Sequence, residues 1–251
     1  MRAVATLVSL AALLMLVAGC AQHQSWPLAA GQHPQSFTRV VPVRADGHLL
    51  LYLPAGFDAR GATRYPLLIF LHGSGEGGND LEKLRTHGPP KLVADKSDFP
   101  FIVASPQSIL GSYGGFDPAM LNAMLDELLA RLPIDPERVY LTGLSMGGIW
   151  SYGWASLHPE RFAAIVPISG AWDPVDACRL KGVPVRAYHG ALDTVVPLGD
   201  EQAMIDAIRA CGGDAQLTIY AESGHDAWTQ TYENPQLYEW LLSQHRRHAA
   251  R

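Results

Sequence analysis

The stretch Val139-Tyr140-Leu141-Thr142-Gly143-Leu144-Ser145-Met146-Gly147-Gly148-Ile149-Trp150 limits what this chain can fold into more than any other. It opens as a β-rich run, turns at glycines, and continues as a helix-compatible segment to about His158. Gly143-Leu144-Ser145-Met146-Gly147 fits G-x-S-x-G, a tight strand-to-helix turn that presents a serine hydroxyl. A side chain at either glycine of such a turn would strike neighbouring backbone. The turn sets Ser145 at a helix N-terminus, where unpaired N–H groups favour developing negative charge. The plainer alternative is a glycine-rich turn with no chemistry, so the rest of the chain has to decide.

Around this stretch, apolar strands alternate with helical segments. Phe37 to Val43 and His48 to Leu53 read as two short strands around the turn Ala45-Asp46-Gly47. Tyr65 to Leu71 is a continuous apolar run suited to a strand covered on both faces. It ends in His72-Gly73-Ser74-Gly75-Glu76-Gly77-Gly78, too glycine-rich for helix or strand and lacking either phosphate-loop spacing. Short helical pieces are expected over Asn79 to Thr86 and Pro89 to Ala94, then a strand at Phe101 to Ala104. Ile109 to Phe116 reads as a loop carrying Tyr113. Asp117-Pro118 can open a helix, and Met120, Leu121, Met124, Leu125, Leu128, Leu129 and Leu132 then recur at helical spacing. Beyond the Ser145 helix come strands at Ala163 to Ile168, Val183 to Tyr188 and Gln216 to Tyr220, with helices at Asp200 to Ala210 and Pro235 to His245. No repeat or linker interrupts the order, which predicts an α/β fold: a mostly parallel central sheet with helices on both faces.

At 251 residues, 48% of them hydrophobic and 17% charged, the chain has the material for one large core. A net charge of −5, with basic residues grouped only at Arg246-Arg247-His248 and Arg251, gives no electrostatic footprint for nucleic acid.

A serine hydroxyl becomes a useful nucleophile when a neighbouring base, itself oriented by an acid, takes its proton. One known arrangement on such a sheet has the chain order serine, then aspartate or glutamate, then histidine. Tyr188-His189-Gly190-Ala191-Leu192-Asp193-Thr194-Val195-Val196-Pro197 puts an acid just after one strand. Tyr220-Ala221-Glu222-Ser223-Gly224-His225-Asp226-Ala227-Trp228 puts a histidine after the next. Such sheets build their sites at the carboxyl ends of strands. Competing acids are Asp226, beside the histidine, and Asp173 and Asp176, after the strand that follows the elbow. His72 and His189 read as structural, and His72, His189 and His225 lack any zinc-ligand spacing. Trp228 and Tyr113 are candidates to line a pocket or are simply surface aromatics; Glu76 either contacts substrate or holds its own loop.

With these residues in view, the chain resembles a serine esterase of the α/β-hydrolase superfamily, in the secreted carboxylesterase group that includes feruloyl-esterase-like and polyhydroxybutyrate-depolymerase-like proteins. The likeness rests on Leu71-His72-Gly73-Ser74-Gly75-Glu76, Gly143-Leu144-Ser145-Met146-Gly147-Gly148, His189-Gly190 with Asp193 and Val196-Pro197, and Gly224-His225 with Trp228. It implies that Ser145 is the nucleophile, His225 the general base and then acid, and Asp193 the group that holds the imidazole. It places the oxyanion on the backbone N–H groups of Ser74 and Met146. It implies hydrolysis of short-chain or aryl esters, small or glycan-linked, with no cofactor and no metal. A peptidase of the prolyl-oligopeptidase type shares the catalytic domain, and an inactive hydrolase fold serving as a surface binding protein is the rival from another class.

The N-terminus has a positive start, an apolar run from Ala3 to Ala18, and then Gly19-Cys20. That reads as a secretory signal over residues 1–19. Val17-Ala18-Gly19-Cys20 resembles the bacterial lipobox, which implies lipidation of Cys20, a tether over 20–36, a catalytic domain over 37–251 and a membrane anchor in the cell envelope, with Ala21 suited to the outer membrane. An ordinary cleaved signal is the alternative. In an oxidising compartment Cys178 and Cys211 can form a disulfide or stay as two buried thiols.

Overall fold

The computed structural model describes residues 30–41, 43–94, 96, 98–109 and 115–246. The signal segment, Cys20 and Tyr113 lie outside the described residues. Eight strands form one sheet in the order β1-β2-β4-β3-β5-β6-β7-β8. They are β1 (Gly31–Val41), β2 (Val43–Leu53), β3 (Tyr65–Leu71), β4 (Ile102–Pro106), β5 (Ile134–Leu144), β6 (Ala164–Ile168), β7 (Val185–Gly190) and β8 (Ala215–Tyr220). β1 pairs antiparallel with β2, and β2 with β4; every other pairing is parallel. The helices are α1 (Gly88–Leu92), α2 (Pro118–Arg131), α3 (Met146–Leu157), α4 (Leu198–Ala210), α5 (Trp228–Glu233) and α6 (Pro235–Ser243).

Alternation along the strands divides the core into two layers. Leu67, Ile69 and Leu71 of β3 join one cluster with Leu125 and Leu128 of α2, Tyr152 and Trp154 of α3, and Met204 and Ile208 of α4. Leu68 and Phe70 face the other way, into a cluster with Tyr232 of α5 and Leu237 and Leu241 of α6. β3 therefore loses solvent on both faces, which is why its sequence is an unbroken apolar run. Each such side chain contributes about 1.5–3 kcal/mol of transfer free energy. Asp117 accepts a hydrogen bond from the Ala119 N–H at 2.8 Å and caps α2, with Pro118 in the first turn.

Two expectations need correction. The first hairpin does not turn at Ala45-Asp46-Gly47: Asp46 pairs with Thr38 and Gly47 with Phe37, and the strands reverse between Val41 and Val43. β1 also begins at Gly31, inside the stretch expected to be a tether. An edge strand with one open hydrogen-bonding side tolerates Pro34 and a polar sequence, and that composition hid it. The 3₁₀ segment Pro174–Leu180 and the helix α5 were not expected.

Cys178 and Cys211 are joined in a disulfide, with Cα atoms 5.2 Å apart and a sequence separation of 33. The bridge ties the Pro174–Leu180 segment to the C-terminus of α4. Loop-closure entropy for a ring of this size corresponds to about 3–4 kcal/mol. The Cys178→Ser/Cys211→Ser chain should therefore unfold at a clearly lower urea midpoint than the oxidised native chain. Equal midpoints would show that the bridge adds nothing.

Candidate active site

The site lies at the carboxyl ends of the parallel strands, and its centre is the turn from β5 into α3. Ser145 has φ 52° and ψ −119°, a backbone conformation that non-glycine residues rarely adopt. The turn is held by two hydrogen bonds: the Ser145 N–H donates to the Ile168 carbonyl and the Ile149 N–H to the Ser145 carbonyl, both at 2.9 Å. Space explains the glycine at 147. A Cβ there would lie 1.9 Å from the Leu71 carbonyl oxygen, so α3 could not approach the end of β3.

His225 follows β8, and its ring links the other two candidates. Its Nδ1 lies 2.8 Å from Asp193 Oδ2, and its Nε2 lies 2.9 Å from Ser145 Oγ. With Nδ1–H donating to the carboxylate, Nε2 is left to accept the serine proton. Ser169 Oγ donates to the His225 carbonyl at 2.8 Å and fixes the loop. Asp193 follows β7 with its side chain fully buried, and its Oδ1 accepts from the N–H groups of Val195 and Val196 at 2.8 and 3.0 Å. Burial opposes its charge, but His225 and those two N–H groups outweigh it and hold the carboxyl below its ordinary range.

Beside the elbow runs the loop after β3. Gly73 packs so close to Leu144 that a Cβ on it would come within 2.7 Å of Leu144 Cδ1. Ser74 starts the 3₁₀ turn that follows Gly73, and Met146 is the first residue of α3, next after the elbow serine. Neither N–H has an intrahelical partner, as the first residues of any helix do not. His72, fully buried, braces this loop: it accepts from the Ser108 N–H at Nε2 (2.9 Å), so Nδ1–H donates to the Gly73 carbonyl (2.6 Å). Burial lowers its pKa to about 4, which keeps that tautomer neutral.

The competing acids are engaged elsewhere. Asp226 accepts from the N–H and hydroxyl of Thr229 at the start of α5. Asp173 caps the Pro174–Leu180 segment through the Val175 N–H, and Asp176 accepts from Trp172 Nε1. Trp228 is at the site, on α5 rather than in a loop, with its ring edge-on to His225 at 5.1 Å and to His87 at 5.7 Å. Glu76 keeps Oε1 4.0 Å from His87 Nε2, while its Oε2 is buried with no hydrogen-bond partner among the described residues.

One group escaped sequence reasoning. Glu201, fully buried, contacts His189 Nδ1 through Oε2 and accepts from the Tyr152 hydroxyl at 3.2 Å through Oε1. The signal was present: Glu201, Met204, Ile205 and Ile208 form the buried stripe of α4, and an acid on such a stripe needs a partner. Burial raises the Glu201 carboxyl from 4.5 to about 7, against the pull of His189 and Tyr152. Despite burial, His189 is raised too, by its contact with Glu201. One proton shared by the pair equals the one that an unfolded glutamate and histidine hold between 4.5 and 6.5, so no slope arises there. Above 6.5 the unfolded histidine releases its proton while the folded pair keeps it, so stability falls as pH rises. Thermal unfolding of Glu201→Gln should accordingly show a flatter Tm profile above pH 6.5 than the native chain. Parallel profiles for the two would refute this account of the slope.

A mostly parallel eight-stranded sheet, with a serine at a positive-φ turn between its central strand and the helix behind it, is the α/β-hydrolase fold. Esterases are among the proteins that the chain resembles. A family profile described as Phospholipase/Carboxylesterase matches residues 117–238, just under half of the chain. "Probable feruloyl esterase C" of Aspergillus terreus is 28% identical over 154 residues, which cover 59% of this chain and 56% of that protein. A bifunctional acetylxylan esterase/xylanase of Neocallimastix patriciarum is 31% identical over 140 residues, 54% of this chain and 20% of that one. The chain thus spans little more than half of the first relative and a fifth of the second. Among solved structures, a thermostable esterase superposes with a TM-score of 0.71 at 27% identity, covering 85% of this chain and 63% of that one.

Proposed function

We propose that this protein is a serine carboxylesterase that hydrolyses short-chain or aryl esters, of the acetyl or feruloyl type, through an acyl-enzyme. The observation that carries the reading is the unbroken hydrogen-bond line from Ser145 Oγ through the His225 ring to Asp193 Oδ2, at 2.9 and 2.8 Å. Ser145 Oγ attacks the ester carbonyl carbon while its proton passes to His225 Nε2. The carbonyl oxygen becomes an oxyanion held by the N–H groups of Ser74 and Met146, close to the positive end of α3. As the tetrahedral intermediate collapses, the bond to the leaving oxygen breaks, and that oxygen takes the proton from His225 and departs as alcohol. Water then gives a proton to His225 and its oxygen to the acyl carbon. The bond to Ser145 Oγ breaks, Oγ regains the proton, and the carboxylic acid leaves. Asp193 keeps Nδ1–H of His225 in place and offsets the imidazolium charge in both halves.

Relatives named as feruloyl and acetylxylan esterases support a glycan-linked ester as the substrate class. The reading includes placement in the bacterial cell envelope, anchored through a lipid on Cys20, and the Cys178–Cys211 disulfide suits such an oxidising compartment. Hydrolysis of 4-nitrophenyl acetate, butyrate and octanoate, methyl ferulate and acetylated xylan by the mature chain tests the activity. Rates should be highest on the short and aryl esters; turnover of octanoate alone would reject the substrate preference. For the anchor, Cys20→Ala should change both mature mass and detergent partitioning. An unchanged mutant would remove the anchor from the proposal.

A further inference from the structure

The acid of the candidate triad has a second histidine behind it. His189, at the end of β7, is completely buried, and its Nε2 stands 3.0 Å from the Val196 carbonyl and 3.2 Å from Asp193 Oδ2. A carbonyl only accepts, so Nε2 carries a hydrogen. That N–H donates to Val196, whose own N–H binds Asp193 Oδ1, and the same ring edge faces the oxygen that receives His225. His189 therefore reaches both oxygens of the acid: one by way of the Val196 backbone, whose carbonyl and N–H flank the same Cα, the other across 3.2 Å.

The opposite ring edge is equally determined. Nδ1 faces Glu201, which is held in turn by the Tyr152 hydroxyl of α3. One proton shared between Glu201 and His189 leaves the pair without net charge, wherever along the contact it sits. In either arrangement Nε2 keeps its hydrogen, because Nδ1 is committed to Glu201. A lone buried histidine could rotate or change tautomer; this one has a partner at each nitrogen. The line thus runs Tyr152, Glu201, His189, Asp193, His225, Ser145, and its two ends lie on the same helix-and-elbow unit.

We propose that His189, fixed in one tautomer by Glu201, is a positioning residue for Asp193, keeping Oδ2 aimed at the His225 Nδ1–H. It touches no reacting atom and acts through the acid alone. The inference deepens the esterase reading and uses that activity for one of its two readouts.

The test compares His189→Leu, which removes the donor, with His189→Gln, whose side-chain amide N–H can take the place of Nε2–H. Each is made in the native chain and in Asp193→Asn. His189→Leu should lower kcat about 10- to 100-fold with KM changed less than about twofold, since small misplacements of catalytic groups have effects of that size. His189→Gln should recover kcat to within about fivefold of native, the amide supplying the lost hydrogen bond. In Asp193→Asn, His189→Leu should add less than about twofold, because residues acting through one another are not additive. An undiminished effect in that background would overturn the proposal, as would a folded His189→Leu chain with native kcat. Should His189→Leu fail to fold, His189→Leu/Glu201→Leu leaves no unpaired buried acid and carries the same prediction. The second readout needs no turnover: the downfield proton resonance of His225 Nδ1–H, followed in Ser145→Ala. It should shift or broaden when His189→Leu is added and return with His189→Gln. An unmoved resonance would also overturn the proposal. If the native chain cleaves no ester yet the resonance responds, the esterase reading falls and the positioning role stands.

Discussion

Ser145→Ala should abolish ester hydrolysis, lowering kcat on the order of 10⁵-fold or more while leaving KM nearly unchanged. Oγ sits 2.9 Å from His225 Nε2 and forms its bond to substrate only as the reaction proceeds, so its loss is felt in the transition state rather than in binding. Alanine also keeps the backbone of the elbow, and the Ser145 N–H bond to Ile168 survives, so the thermal transition should hardly move. Asp193→Asn belongs to the same experiment. An amide cannot hold the tautomer that leaves Nε2 free to accept, and a loss of about 10⁴-fold in kcat is the expected size. The measurement is single-substrate kinetics on 4-nitrophenyl acetate together with labelling by a fluorophosphonate probe. A mutant that kept even a tenth of the native rate, or a native chain that the probe did not label at Ser145, would reject Ser145 as the nucleophile.

The second large effect is on the fold. Gly147→Ala should cost about 3 kcal/mol or more and remove activity with it. The added carbon would lie 1.9 Å from the Leu71 oxygen and 2.4 Å from its carbonyl carbon. Leu71 is completely buried at the end of β3, a strand paired on both sides with β4 and β5. Neither partner can move aside cheaply, so α3 must tilt away from the sheet and take Ser145 with it. Gly182→Ala is the control, because a Cβ there meets nothing within 4 Å, and it should shift stability by less than about 0.5 kcal/mol. Urea unfolding of the two variants beside the native chain decides the matter. Equal midpoints for both would mean that the contact at Gly147 relaxes without cost.

Several of these features could be read before any coordinates. Tyr65 to Leu71 had to be a central strand because seven successive residues, Pro66 apart, favour losing water on both sides. Ser145, Asp193 and His225 were legible because glycines and strand ends mark them locally, and the structure brings the three side chains together. Other features depend on partners distant in sequence. The register of β1 against β2 is set by pairing along the whole hairpin, which a local turn motif at Ala45-Asp46-Gly47 does not encode. Trp228 proved to stand against His225, but only because α5 forms from a segment that had read as loop. Glu201 is the most instructive miss: its neighbours at helical spacing announced burial, yet its partner His189 is twelve residues away on another element and gave no local signal.

The disulfide has a consequence for the site's persistence. Cys178 and Cys211 close a covalent ring that contains all of β7, the loop of Asp193, and α4 with Glu201. Proteins breathe by local openings, and a segment held at both ends explores less space when it opens than one with a free end. Any opening that parted Asp193 from His225 would be limited in reach by the ring, which shortens the way back. Ser145, the candidate nucleophile, lies outside the ring and is held by packing and by the hydrogen bonds of its turn. The acid half of the candidate site is thus tethered for quick recovery after a local opening, while the serine half recovers without a covalent guide.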